Sequence, residues 1–223
     1  MSNKALQERL HTRQQFQIDR IVFFSDAVIA IAITLMVLEI KIPSFGVNAS
    51  INQIFSRFGN AMIQHLIALI ICFGSIGNLW IRHHELFEHI TRYNRRLIVV
   101  NLFFLFSIMF LPISISFLFT NNNPQQMKVL VFFLNLFLCN VTFYYLLVVV
   151  YNKKNRFSTY PVDEHVKKDK WIALRITITF AVASILVIFN AANWVFYPFI
   201  ALWLLVRIRD RILLSRKSAK VAA

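Results

Sequence analysis

Four glycines in 223 residues are too few for the broken, Gly-interrupted helices of a typical transporter. Cysteine is scarcer still. Cys72 and Cys139 both lie inside apolar runs, where a disulfide would have to join lipid-embedded helices, so they read as small packing residues and redox chemistry is not expected. No Walker loop, HExxH, Gly-x-Ser-x-Gly or pair of intramembrane carboxylates is present, so enzymatic chemistry and a bound cofactor are not expected. A Thr-Val-Gly-Tyr-Gly filter and an arginine-every-third voltage sensor are missing too, which excludes the commonest potassium-filter and voltage-gated designs. His83 and His84 are adjacent, so one helix face cannot offer both to a metal, and Glu85 and Glu88 do not restore a zincin pattern.

What the sequence has is apolar length. Hydrophobic residues make up 58% and charged residues only 15%, a balance that one soluble core of this size cannot hide. A bilayer core takes roughly 20 apolar residues in a helix. Six segments meet that need, about Ile21–Ile42, Ile54–Ile81, Leu97–Phe119, Val129–Tyr151, Trp171–Phe189 and Trp194–Ile212. The runs are continuous and far longer than barrel strands, so the expected fold is all-α, a single bundle of six transmembrane helices over residues 1–223. Pro43, the polar turn Asn121–Pro124 and the hairpin Asn190–Asn193 punctuate it, and Pro112 and Pro198 are expected to kink the third and sixth helices. Residues 1–19 carry charged and amide side chains throughout, and no small-residue cleavage site follows the first apolar run, so that run is expected to be retained.

Charge sets the orientation. Of 24 Lys and Arg residues, all but Lys41, Arg57 and Lys128 fall in the N-terminal segment, the Arg82–Arg96 and Lys153–Arg175 clusters or the Arg207–Lys220 tail. Cytoplasmic loops retain positive charge, so those regions, and with six crossings both chain ends, are expected on the cytoplasmic side of the cell (inner) membrane. The net charge of +14 is confined to short stretches between apolar runs and forms no stripe on a polar domain. Nucleic acid is therefore not an expected partner, and the clusters read as topology signals in contact with anionic membrane lipid.

Helix one is the unusual one. Ser25 and Asp26 stand just inside its cytoplasmic boundary, where an unpaired charge costs several kcal/mol. Arg20 is six residues earlier and on another face, so Asp26 is expected to tie helix one to the end of helix two, with Asn78, Trp80, His83 and His84 as candidate partners. Two readings stand side by side, a structural clamp and a proton or cation site. His65, in the middle of helix two, reads as a packing residue. Further along, Ile31, Leu35 and Leu38 recur at i, i+4 and i+7, with Thr34 beside them. Such a stripe packs helices, or, facing the axis of a symmetric oligomer, makes stacked apolar rings that gate ions. Glu39 would then stand at the outer pore mouth.

The segment Arg20-x-x-x-Phe24-Ser25-Asp26, continuing through Thr34, Leu35, Leu38 and Glu39 to Pro43, resembles the first-helix signature of the transmembrane protein 175 family of potassium channels. Trp80-Ile-Arg-His83-His84-Glu-Leu-Phe87, Asn101-Leu and Leu111-Pro112 are similar to that family's second and third helices, so the likeness covers the first half of the chain. The resemblance implies a homotetrameric, potassium-selective leak channel with one first helix per subunit at the pore. It implies Ile31 as the narrowest ring, Leu35 and Leu38 stacked on it, Thr34 contributing to potassium preference, and Arg20, Phe24, Ser25 and Asp26 in the network that holds helix one. No metal is implied beyond potassium in transit. One motif is found, since Phe157-Ser158 is followed by Thr159, so four chains are expected. The rival classes are a proton-coupled or cation transporter using Asp26 and His83, and a non-conducting scaffold.

Overall fold

The computed structural model describes residues 3–38, 50–118, 124–152, 154–155, 157–158 and 164–189. It is all-α, with helices α1 (Asn3–Leu38), α2 (Ile51–Glu88), α3 (Arg95–Met109), α4 (Leu111–Leu118), α5 (Gln125–Val150) and α6 (Glu164–Ile188). The expectation of six transmembrane helices is corrected here. Because α3 and α4 are two halves of one span, the described residues form five helical rods. Among the described residues, four stretches have the length and hydropathy of membrane spans: Thr12–Leu38, Arg95–Leu118, Gln125–Val150 and Val166–Ile188. The segment expected at 194–212 lies outside the described residues, as do Glu39, Pro43, Pro198 and the turns at 121–123 and 190–193. With the count of six goes the placement of both chain ends on the cytoplasmic side that was argued from it.

Apolar runs mark lipid contact, whereas helices continue wherever propensity allows, so the helices outrun the apolar segments. α1 begins at Asn3, 18 residues before the first apolar run, because Ala5, Leu6, Gln7, Glu8 and Arg9 are good helix formers and neither glycine nor proline interrupts residues 3–38. α2 likewise runs past Ile81 to Glu88, where Leu86 and Phe87 are buried. The third span breaks at Phe110, two residues before Pro112. Proline has no N–H to donate and its ring crowds the preceding turn, so the chain closes α3 with Phe110 N–H on Ile108 O and restarts with Ser114 N–H on Phe110 O at 2.9 Å.

The core is built around α5, which packs on α2, α3, α4 and α6. Phe132, Phe133, Leu136, Phe143 and Leu146 are all buried on it. Several polar side chains inside the bundle turn back onto their own helix: Asn140 Nδ2 donates to Leu136 O at 2.8 Å and Ser184 Oγ to Phe180 O at 2.9 Å. That satisfies them where water is absent. Cys72 and Cys139 are buried and free. α1 packs on α2, α3 and α4.

One end of the bundle gathers the end of α2, the start of α3, the end of α5 and the start of α6, and it is the basic end. Thr91 N–H donates to Phe157 O at 2.9 Å and Ile90 bridges Ser158, so residues 157–158 strap the turn between α2 and α3. Asn94 caps α3 by accepting from Leu97 N–H at 3.1 Å.

Candidate functional site

The helical period divides α1 into two faces. Ile18, Ser25, Ile29, Ala32 and Met36 recur at intervals of seven, four, three and four, and all are 2% exposed or less. They form the face against α2, α3 and α4. Ile31, Leu35 and Leu38 lie roughly 120° round the helix, at about 100° per residue. No described residue covers them: Ile31 is 56% exposed and Leu38 78%, and Leu35 and Thr34 are exposed as well. The Thr34 hydroxyl donates to Ile31 O at 2.9 Å, which satisfies it within the helix.

At the basic end of α1 the buried face becomes polar, and a hydrogen-bond chain crosses three helices. Asn101 Nδ2 of α3 donates to Ser25 Oγ at 2.8 Å, and Ser25 Oγ donates to Ile21 O at 2.8 Å. With its NH2 so used, Asn101 has Oδ1 left as an acceptor, 2.8 Å from His83 Nε2 of α2, which fixes the proton of that imidazole on Nε2. Ser25, His83 and Asn101 are 0%, 0% and 1% exposed. The His83 ring lies between Phe87, at 4.4 Å, and Phe104, at 5.4 Å, nearly parallel to both. Its Nδ1 has no hydrogen-bond partner among the described residues.

A second, shallower layer lies beside the first. Trp80 Nε1 donates to Asp26 Oδ1 at 2.7 Å, a short charge-assisted bond between α2 and α1. His84 stacks on Trp80 at 5.8 Å, and its Nε2 lies 3.6 Å from Glu88. Arg20 stays outside both layers: it is exposed, and its Nη1 reaches Gln17 Oε1 at 3.5 Å. Phe24, 53% exposed, lines an apolar groove of about 440 Å³ between α1 and α3, with Val28, Val99, Phe103 and Phe106 among its walls.

Asn101 is the residue that pattern reasoning passed over as a hub. The only signal was a carboxamide inside the apolar run of the third helix, and a buried amide there needs partners. Glu39 lies outside the described residues.

The family described as "Endosomal/lysosomal potassium channel TMEM175" matches residues 20–112. Over those residues the chain is similar to the TMEM175 family. The matched stretch runs from Arg20 to Pro112 and so contains the exposed stripe, both anchor layers and Asn101. Among its relatives, a protein named potassium channel from a Chryseobacterium species is 29% identical across 82% of this chain and 85% of its own. A potassium channel from Chamaesiphon minutus is 32% identical across 47% of this chain and 51% of its own, so that match spans about half of the relative. In fold, the chain is similar to the crystal structure of a lysosomal potassium-selective TMEM175 homologue from Chamaesiphon minutus, with a TM-score of 0.62 and 24% identity over 82% of this chain and 98% of that one. With four stretches of membrane-span length and hydropathy among its described residues, the chain is a multi-pass membrane protein.

Proposed function

We propose that this protein is a passive potassium channel whose pore is lined by α1 from four identical chains. The observation that carries the reading is the uncovered stripe of Ile31, Thr34, Leu35 and Leu38 within a membrane span whose other face is anchored by Ser25 and Asp26. A helix held so firmly on one side presents a fixed surface on the other. The names of the relatives point to potassium as the ion.

Four helices with neighbours about 10 Å apart have their axes about 7 Å from the common axis, and their Cα atoms about 5 Å from it. Four Ile31 side chains pointing into that radius leave no room for a hydrated cation. An ion crossing the ring sheds water, and potassium, the more weakly hydrated of the two common alkali cations, does so at lower cost than sodium. Ile31 is the narrowest ring in this reading, Leu35 and Leu38 extend the dry stretch, and Thr34 adds a polar surface beside it. Glu39 stands at the mouth away from the basic end and concentrates cations. The same geometry suits a leak, since small rotations of α1 wet or dry the ring. The carrier alternative is weaker, because Asp26 is committed to Trp80 at 2.7 Å.

The test is planar-bilayer recording of the purified protein under a potassium and sodium gradient, with wild type beside Ile31→Ala and Ile31→Asn. Unitary currents that reverse towards the potassium potential and change in size or selectivity with residue 31 support the pore. Saturable, Asp26-dependent uptake into liposomes with no unitary current overturns it in favour of a carrier.

A further inference from the structure

A second polar site lies at the basic end, on the side of α2 that faces α5 and α6. A pocket of about 250 Å³ is bounded there by Arg82, Glu85, Glu88 and His89 of the α2 end, Phe143 of α5 and Asp169 of α6. The Arg82 guanidinium sits over the Phe143 ring, 4.6 Å from its centroid, so one of its faces is covered. Its two terminal nitrogens, Nη1 and Nη2, are buried and have no hydrogen-bond partner among the described residues. A guanidinium carries five donors in a planar fork, and leaving two of its nitrogens dry and unpaired is costly. The planar fork matches an oxyanion with two oxygens, a carboxylate or a phosphate.

The rest of the pocket decides which oxyanion. Glu85, Glu88 and Asp169 bring three carboxylates to one guanidinium, so a ligand with negative charge alone is repelled overall. A ligand whose phosphate is joined by a short link to an ammonium satisfies both sets. The depth adds the source: the pocket lies where the span Gln125–Val150 ends and the span Val166–Ile188 begins, the level of lipid headgroups. Glu85 and Glu88 are exposed, so the site is reached from the surface. At about 250 Å³ it is smaller than a drug-sized pocket and takes a headgroup, not a whole lipid.

We propose that the Arg82 pocket binds the phosphoethanolamine headgroup of a membrane lipid, with the phosphate on Arg82 and the ammonium among Glu85, Glu88 and Asp169. An anionic glycerol headgroup lacks the ammonium. A choline headgroup has no N–H to donate to the carboxylates. The pocket therefore prefers ethanolamine to both.

The full-length protein in mild detergent is titrated with short-chain phosphatidylethanolamine, phosphatidylglycerol and phosphatidylcholine, and with soluble O-phosphoethanolamine and inorganic phosphate. Binding is followed by thermal unfolding and by retained lipid in native mass spectrometry. The ethanolamine lipid is expected to bind about tenfold or more tightly than the other two lipids, a preference set by the carboxylates, and Arg82→Gln to weaken all three lipids by about tenfold, the loss of a charge-assisted bond to the phosphate they share. Glu85→Gln, at an exposed position that does not threaten folding, is expected to narrow the preference by raising phosphatidylglycerol binding. If O-phosphoethanolamine binds as tightly as its lipid, the chemistry of the site stands and its source is the soluble ester. Equal binding of phosphatidylglycerol and phosphatidylethanolamine to wild type overturns the proposal. So does inorganic phosphate matching phosphoethanolamine, or a lipid preference that Glu85→Gln leaves intact.

Discussion

Replacing Asn101 by Leu is expected to destabilise the protein more than replacing Asn101 and His83 together. Asn101 makes two buried hydrogen bonds of 2.8 Å, to Ser25 and to His83. Each is worth about 0.6–1 kcal/mol net inside a membrane bundle. In Asn101→Leu, Ser25 Oγ keeps its bond to Ile21 O, so nothing on α1 is orphaned. The damage falls on His83, whose Nε2–H loses its acceptor while Nδ1 is already without a partner, and a buried unsatisfied donor costs about 1–3 kcal/mol. The single change therefore costs about 3 kcal/mol. His83→Phe keeps a flat ring between Phe87 and Phe104 but leaves Asn101 Oδ1 unpaired, for about 2 kcal/mol. The double variant leaves no orphan and forfeits only the hydrogen bonds, about 1–2 kcal/mol. The two single costs should thus exceed the double by about 3 kcal/mol, the upper range for directly bonded neighbours. Unfolding in mixed micelles, followed by tryptophan fluorescence, measures all three. Additive costs, or an Asn101→Leu protein as stable as wild type, would refute the assignment of Asn101 as the hub that fixes α1.

The shallower layer is expected to matter less. Trp80→Phe removes the bond to Asp26, but Trp80 is 39% exposed and water can replace the indole, so the same unfolding assay should show about 1 kcal/mol or less; a cost above that of Asn101→Leu would reverse the ranking of the layers. Phe104→Ala, at a fully buried ring 5.4 Å from both His83 and Phe143, should cost about 3–5 kcal/mol in that assay and loosen the deep layer too. Under the channel reading, Glu39→Gln should lower cation current in dilute salt and do so less at high salt, because exposed charges are screened over about 10 Å at 0.1 M; unchanged current in bilayer recordings at low salt removes Glu39 from the conduction path.

Much of the site was legible before any fold was. Ser25 and Asp26 stood out because a carboxylate inside an apolar run has to find a partner, and Trp80 and His83 were named because the helix-two end was expected at the same depth. What no sequence pattern supplied was the pairing itself. Ser25 and Asn101 are 76 residues apart and meet only because α1 and α3 pack side by side, and Trp80, not Arg20, took Asp26 because it lies across the contact between α1 and α2. Arg82 carried no signal beyond its place in a basic cluster. Its covered face and dry nitrogens exist only once α5 sets Phe143 beneath it.

That the protein lives in a membrane, which residues are apolar enough to stay there, and which end carries the positive charge were all readable from composition and pattern, because these follow from transfer free energies that each residue holds independently of its neighbours. Composition and pattern did not determine the number of rods or their length. Helices continue past the apolar runs as far as propensity permits, as α1 does back to Asn3, and Pro112 divides one span into two helices. Only the tertiary structure decided which face of α1 is spent on the bundle and which is left uncovered. An apolar stripe looks the same on either side of a membrane helix, and it is the packing of Ile29, Ala32 and Met36 against the bundle that turns Ile31, Leu35 and Leu38 outwards.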